Sequence, residues 1–247
     1  MKIIYLLFFV FLYSSEQVFV ACEGNYYQSN GSLWTISDDE VYGYEGNPLG
    51  QVVQSVLVHE DKLYVVVNVP GSIQVFDIHE DGLTLVDYVD TQYSGPREML
   101  VVGDYMYFTN WYTADVKKLN LTTLEIESEI AMPGLPEDIV LHDGKVYVSI
   151  IMNSDWSDGN LIASIDMQSD AIVDTYEVGS GPGDILVFED ELYVSRTFYD
   201  ENWNAFYGTS KINSNGEVIV KNYGAGVACG GSVHALNGSV YRSFNGG

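Results

Sequence analysis

Three carboxylates stand at equivalent places in successive segments of this chain. Laying the runs QSVLVH, REMLVV, EDIVLH, GDILVF and GSVHAL over one another aligns Ser55, Glu98, Asp138, Asp184 and Ser232. Carboxylates gathered in a low-dielectric funnel attract a cation or bind sugar hydroxyls. The competing role is structural, because Asp and Glu also cap backbone N–H groups in turns. A second set of residues adds flat apolar faces. Trp111 and Tyr112 lie in TNWYTAD, Trp156 in MNSDWSDGN, and Tyr199 and Trp203 in TFYDENWNAF, flanked by Phe198 and Phe206. GNYYQSNGS adds Tyr26 and Tyr27. Aromatic rings among Asp and Asn suit a sugar or peptide platform, in which the ring stacks and the polar groups hydrogen-bond. The alternative is that these rings pack over their own strands.

Metal and catalytic signals are weak by comparison. MNSDWSDGN and FYDENWN are rich in oxygen ligands, but neither has the alternating spacing and closing Glu of a calcium loop. Calcium is thus a secondary expectation, and no other cofactor is indicated. His59, His142 and His234 fall in similar strands without paired metal spacing, so an inner histidine ring competes with ordinary channel-wall packing. There is no GxSxG elbow, phosphate loop or dinucleotide glycine pattern in a suitable context.

The elements that would position these residues repeat. A short apolar strand carrying tyrosine recurs as KLYVVV, YMYFTN, KVYVSI, ELYVSR and SVYRSF, centred on Tyr64, Tyr107, Tyr147, Tyr193 and Tyr241. The spacings are 43, 40, 46 and 48 residues, and Phe19 stands 45 before Tyr64. Within each unit an apolar strand, a tight turn, the tyrosine strand, a polar loop and two more alternating strands follow in order. Gly-Pro or Leu-Pro at 95–96, 135–136 and 181–182 then closes the unit, where proline's missing N–H is no loss. Such a period predicts an all-β propeller of four-stranded blades. Units begin near residues 17, 54, 97, 137, 183 and 230, giving about five to six blades and a C-terminally incomplete ring. In that geometry the first strand of every blade lines the central channel. The aligned carboxylates and the aromatic loops after the second strands then share one face.

Composition bounds the partners. The 247 residues suffice for one large domain over 16–247, and a formal charge of −25 argues against nucleic-acid phosphates and anionic membranes. Lys2 followed by the apolar run 3–13 and two serines is the pattern of a signal peptide over 1–15, with no membrane insertion after its removal. The mature protein is then expected in the periplasm, at the cell surface or in the medium. Export would permit a Cys22–Cys229 disulfide, with two separate thiols as the alternative.

The phrases VFVACEGNYYQSNGSLWTI, SGPREMLVVGDYMYFTNWYTADVKKLNLTTLEI and VGSGPGDILVFEDELYVSR resemble the YVTN-type β-propeller repeat of exported bacterial, surface-layer-like proteins. The signature persists as YFTN at 107–110 and drifts to YVVV, YVSI and YVSR elsewhere. The resemblance implies the propeller fold and leaves activity open, because such folds host many chemistries. Together the residues favour a non-catalytic binding propeller for a carbohydrate or a peptide or protein ligand. A propeller enzyme (a carbohydrate lyase or hydrolase, or an oxidoreductase-like protein), with two convergent carboxylates or an acid beside a histidine of perturbed pKa, and a surface-layer scaffold are the alternatives.

Overall fold

The computed structural model describes residues 16–226 and 231–243. The expected leader and Cys229 lie outside the described residues, and with Cys229 the proposed disulfide. Cys22 is exposed.

Every regular element among the described residues is a strand. The first sheet has three antiparallel strands, β1 (Gln17–Cys22), β2 (Ser32–Ser37) and β3 (Glu40–Gly43). Four four-stranded sheets follow. They are β4 (Val52–His59) to β7 (Gly82–Asp90) with β5 (Lys62–Val69) and β6 (Ser72–His79) between; β8 (Pro96–Val102), β9 (Tyr105–Asn110), β10 (Asp115–Asn120) and β11 (Ile126–Ala131); β12 (Leu135–His142), β13 (Lys145–Met152), β14 (Asp158–Asp166) and β15 (Ala171–Glu177); and β16 (Pro182–Phe188), β17 (Glu191–Tyr199), β18 (Ala205–Ile212) and β19 (Val218–Ala225). A hairpin, β20 (Val233–Leu236) and β21 (Ser239–Arg242), comes last. Strand order within each sheet is chain order, and each sheet packs against the next, as blades do. Among the described residues the first sheet has three strands and the last has two.

Turn chemistry sets this register. Asp38-Asp39, Asp143-Gly144, Glu189-Asp190 and Asn237-Gly238 place both loop residues at positive φ, the backbone of a two-residue hairpin turn matched to strand twist. The second strands are buried almost throughout, and the outer strands β7, β11, β15 and β19 are largely exposed. The recurring tyrosines fill the seams between blades. Tyr64 packs with Met99, Met106 and Phe108 of the next sheet, Tyr107 with Ile139, Val146 and Val148, and Tyr147 with Ile185, Leu192 and Val194. Each such apolar side chain contributes roughly 1.5–3 kcal/mol by leaving water. Tyr241, on the final hairpin, has no following sheet among the described residues and is 54% exposed.

Candidate functional site

Each inner strand of the central blades opens with a β-bulge. Pro96 pairs with Asn110 and Met99 with Phe108, so Arg97 and Glu98 together oppose Thr109. Glu137 and Asp138 oppose Ser149 in the same way, and Gly183 and Asp184 oppose Ser195. The single opposed residue is always a hydroxyl, and it accepts the displaced amide. The N–H groups of Glu98, Asp138 and Asp184 donate to Thr109 Oγ1 at 3.1 Å, Ser149 Oγ at 3.0 Å and Ser195 Oγ at 3.0 Å. In the last hairpin Ser232 N–H donates to Ser243 Oγ at 3.2 Å. A bulge re-aims a side chain, and here it turns the aligned carboxylates toward one another. Ser55 differs: it pairs directly with Val66, and its hydroxyl donates to the Arg97 carbonyl at 2.7 Å.

The three acids are not equivalent. Asp138 accepts its neighbour Ile139 N–H at 2.8 Å and Ile185 N–H of the next blade at 2.6 Å. It therefore clamps two blades, which is the turn-capping role. Asp184 is bonded to the Ser232 side chain. Glu98 forms no side-chain hydrogen bond among the described residues. Burial, then the charges of Asp138 and Glu137, pushes its carboxyl up to about 8. Burial also raises Asp138 to about 6, against the pull of its two amides, and raises Asp184. With these values Glu98 keeps its proton at neutral pH while Asp138 is mostly ionised.

Beside the carboxyls runs a polar relay across three blades. Arg97 donates from Nε and Nη2 to both Glu137 oxygens at 3.0 and 2.5 Å, and from Nη1 to Gln54 Oε1 at 2.6 Å. The same guanidinium lies 4.1 Å from the Trp111 ring centroid. Trp111 in turn meets Trp156 edge-on at 6.3 Å, so the collar and the aromatic loops are physically continuous.

Strand direction puts those loops at the bulged ends of the inner strands. Trp111 and Tyr112 follow β9, Trp156 lies between β13 and β14, and Trp203 lies between β17 and β18. Tyr199 ends β17, 6.1 Å from Trp203, and its amide donates to Asp158 Oδ2 of the preceding blade at 3.1 Å. Tyr112 packs on Gly95, where a Cβ would come within 2.9 Å of its ring. The rings remain accessible: Trp156 is 59% exposed and Trp203 81%.

Both exposed tryptophans hold left-handed backbone, at φ 67° for Trp156 and 61° for Trp203. Their five-residue turns share one hydrogen-bond frame. Trp156 N–H donates to Asn153 O at 3.0 Å and Asn153 N–H to Ser157 O at 2.8 Å; Trp203 N–H donates to Asp200 O at 3.0 Å and Asp200 N–H to Asn204 O at 3.1 Å. The turn from Asn213 to Glu217 repeats that frame and puts Gly216 at the left-handed position, φ 78°. A bulky side chain there costs roughly 1–2 kcal/mol, which glycine avoids.

The histidines do not form one ring. His59 and His142 end their strands at the face opposite the bulges, whereas His234 follows two residues after Ser232 and lies 2.5 Å from its hydroxyl. Among the described residues no group of three or more His, Cys, Asp or Glu could hold a metal ion. A concavity of about 720 Å³ lies at that opposite face, and none of the collar or aromatic residues lines it. The sequence reading missed Arg97, Glu137 and the hydroxyls Thr109, Ser149 and Ser195. The hydroxyls had a signal, since each stands eleven residues after its bulged acid.

No protein-family model matches the sequence, and no curated protein does. Solved structures do. Kuenenia stuttgartiensis hydrazine synthase shares 16% identity at TM-score 0.57, covering 74% of this chain and 53% of its own. A proposed 6-phosphogluconolactonase from Bacteroides fragilis shares 14% at TM-score 0.68, over 92% and 73%. Saccharomyces cerevisiae Sqt1 shares 9% at TM-score 0.67, over 92% and 66%. This chain thus spans about half the length of the first and about three quarters of the second. At such identities the likeness is one of architecture, and the chain has a β-propeller-like fold.

Proposed function

We propose that this chain is an exported, non-catalytic binding propeller of the YVTN type, which stacks a carbohydrate on the aromatic loops over the carboxylate collar. One observation carries the reading. Trp156 and Trp203 occupy strained left-handed positions where the same turn elsewhere uses glycine, and both rings face solvent. Strain retained at exposed rings that contribute little packing points to a use outside folding. Two ring pairs on adjoining blades suit an extended ligand, such as an oligosaccharide, better than a single sugar. Asp158 and Asp200 supply polar groups beside the rings. Titrating the protein with neutral oligosaccharides in an isothermal calorimeter, whose signal does not depend on tryptophan, tests this. Saturable changes in the wild type that vanish in Trp156→Gly/Trp203→Gly support it; unchanged binding in that variant removes it.

The raised carboxyls favour one second reading, a hydrolase-like propeller enzyme. Glu98 near 8 beside Asp138 near 6 provides an acid and a base. That reading requires turnover lost in Glu98→Gln with binding retained, whereas the binding reading requires no turnover in either protein.

A further inference from the structure

An exposed ring that stacks a ligand has to be held before the ligand arrives, or the cost of ordering it is subtracted from affinity. Trp156 projects 59% exposed from its turn, and the ring against it is Trp111, edge-on at 6.3 Å. Whatever fixes Trp111 therefore fixes this part of the platform. The Trp111 backbone is tied down, its N–H donating to Gly95 O at 3.0 Å. The indole is not, because Nε1 is buried and has no hydrogen-bond partner among the described residues. The charged group over the ring is the Arg97 guanidinium, 4.1 Å from its centroid, well within cation–π range.

The guanidinium is placed there by side chains that share one position in three successive blades. Gln54, Arg97 and Glu137 each stand one residue before the aligned Ser55, Glu98 and Asp138, near the starts of β4, β8 and β12. Arg97 Nε and Nη2 donate to the two Glu137 oxygens at 3.0 and 2.5 Å, and Nη1 donates to Gln54 Oε1 at 2.6 Å. All three nitrogens of the fork are engaged around its edge, which sets the guanidinium plane and leaves its faces to stack. A lysine matches the charge but not the plane. In the next two units the same position is Gly183 and Gly231, so the side-chain series ends there. Trp203, one blade beyond Trp156, meets Tyr199 at 6.1 Å and is 81% exposed.

We infer that Arg97 is a positioning residue of the aromatic platform: held between Gln54 and Glu137, its guanidinium braces Trp111, and Trp111 braces the exposed Trp156. This rests on the binding reading above and deepens it. The two exposed tryptophans then differ in kind, Trp156 being set before the ligand arrives and Trp203 ordering on contact.

The chain's four tryptophans allow a test both with and without ligand. Labelling the full chain with 5-fluorotryptophan gives fluorine resonances for Trp34, Trp111, Trp156 and Trp203, assigned with single substitutions to Phe. Arg97→Met/Glu137→Met removes the brace without stranding a charge. The expected result is that the Trp111 and Trp156 resonances shift while those of Trp34 and Trp203 stay. Arg97→Lys shifts the same two. In calorimetry with neutral oligosaccharides both variants bind up to roughly tenfold more weakly than the wild type, the scale of ordering one large side chain. The inference is overturned by an unmoved Trp156 resonance, by equal shifts at all four tryptophans, which mark general loosening, or by wild-type spectra and affinity in Arg97→Lys. A wild type that binds no oligosaccharide sinks the binding reading, and the fluorine spectra then separately uphold or overturn the bracing of Trp156 by Arg97.

Discussion

Replacing Glu98 by glutamine isolates the energetic consequence of the bulge. In the folded chain its carboxyl titrates at about 8 instead of 4.5, because burial and two neighbouring acids oppose its charge. A carboxyl with a raised folded value binds more protons folded than unfolded, so stability falls as pH rises through that window. Asp138 shows the same sign but finishes near pH 6. Between pH 6 and pH 8 the Glu98 proton is retained in the folded state and lost in the unfolded chain. At about 1.36 kcal/mol per pH unit, and with the folded carboxyl half titrated at pH 8, the wild type should lose about 2 kcal/mol over that interval. The amide of Glu98→Gln cannot ionise, so the variant should lose little, and it should be the more stable protein at pH 9. Urea denaturation at pH 6, 7, 8 and 9 measures both curves, with m-values confirming that the same surface unfolds. Parallel curves for the two proteins would refute the placement of Glu98 in a shared, desolvated cluster.

Other consequences follow from the same geometry. Arg97→Ala strands Glu137, whose side chain is only 15% exposed, and should cost about 3 kcal/mol in chemical denaturation, while Arg97→Met/Glu137→Met should cost less. Gly181→Ala drives a Cβ into the Thr197 carbonyl at φ 65° and should unfold the chain or lower its stability by more than about 3 kcal/mol, as circular dichroism would show. Gly208→Ala meets the buried Arg196 guanidinium at 2.5 Å and the Lys221 carbonyl at 2.5 Å, and should lower the melting temperature by several degrees.

Periodicity made the architecture legible. Tyr64, Tyr107 and Tyr147 mark seams because a buried seam needs one large apolar residue per blade at one place, and that demand leaves a period in the sequence. The aligned Glu98, Asp138 and Asp184 were legible for the same reason. What alignment could not show is that Asp138 accepts amides from two blades while Glu98 accepts none, since those bonds depend on where neighbouring strands end. Arg97 and Glu137 escaped notice because their partner lies 40 residues away and pairs only once two blades adjoin. The left-handed tryptophans were equally hidden: DENWN and NSNGE look unrelated as sequence, yet the backbone gives them one turn.

The most direct test of the binding reading sets the wild type beside Trp156→Gly/Trp203→Gly on a glycan array and in a thermal melt. The account predicts that the variant melts at the same temperature or higher, by relief of roughly 1 kcal/mol at each turn, and loses the glycans the wild type retains. A variant that melts lower and keeps every ligand would contradict it.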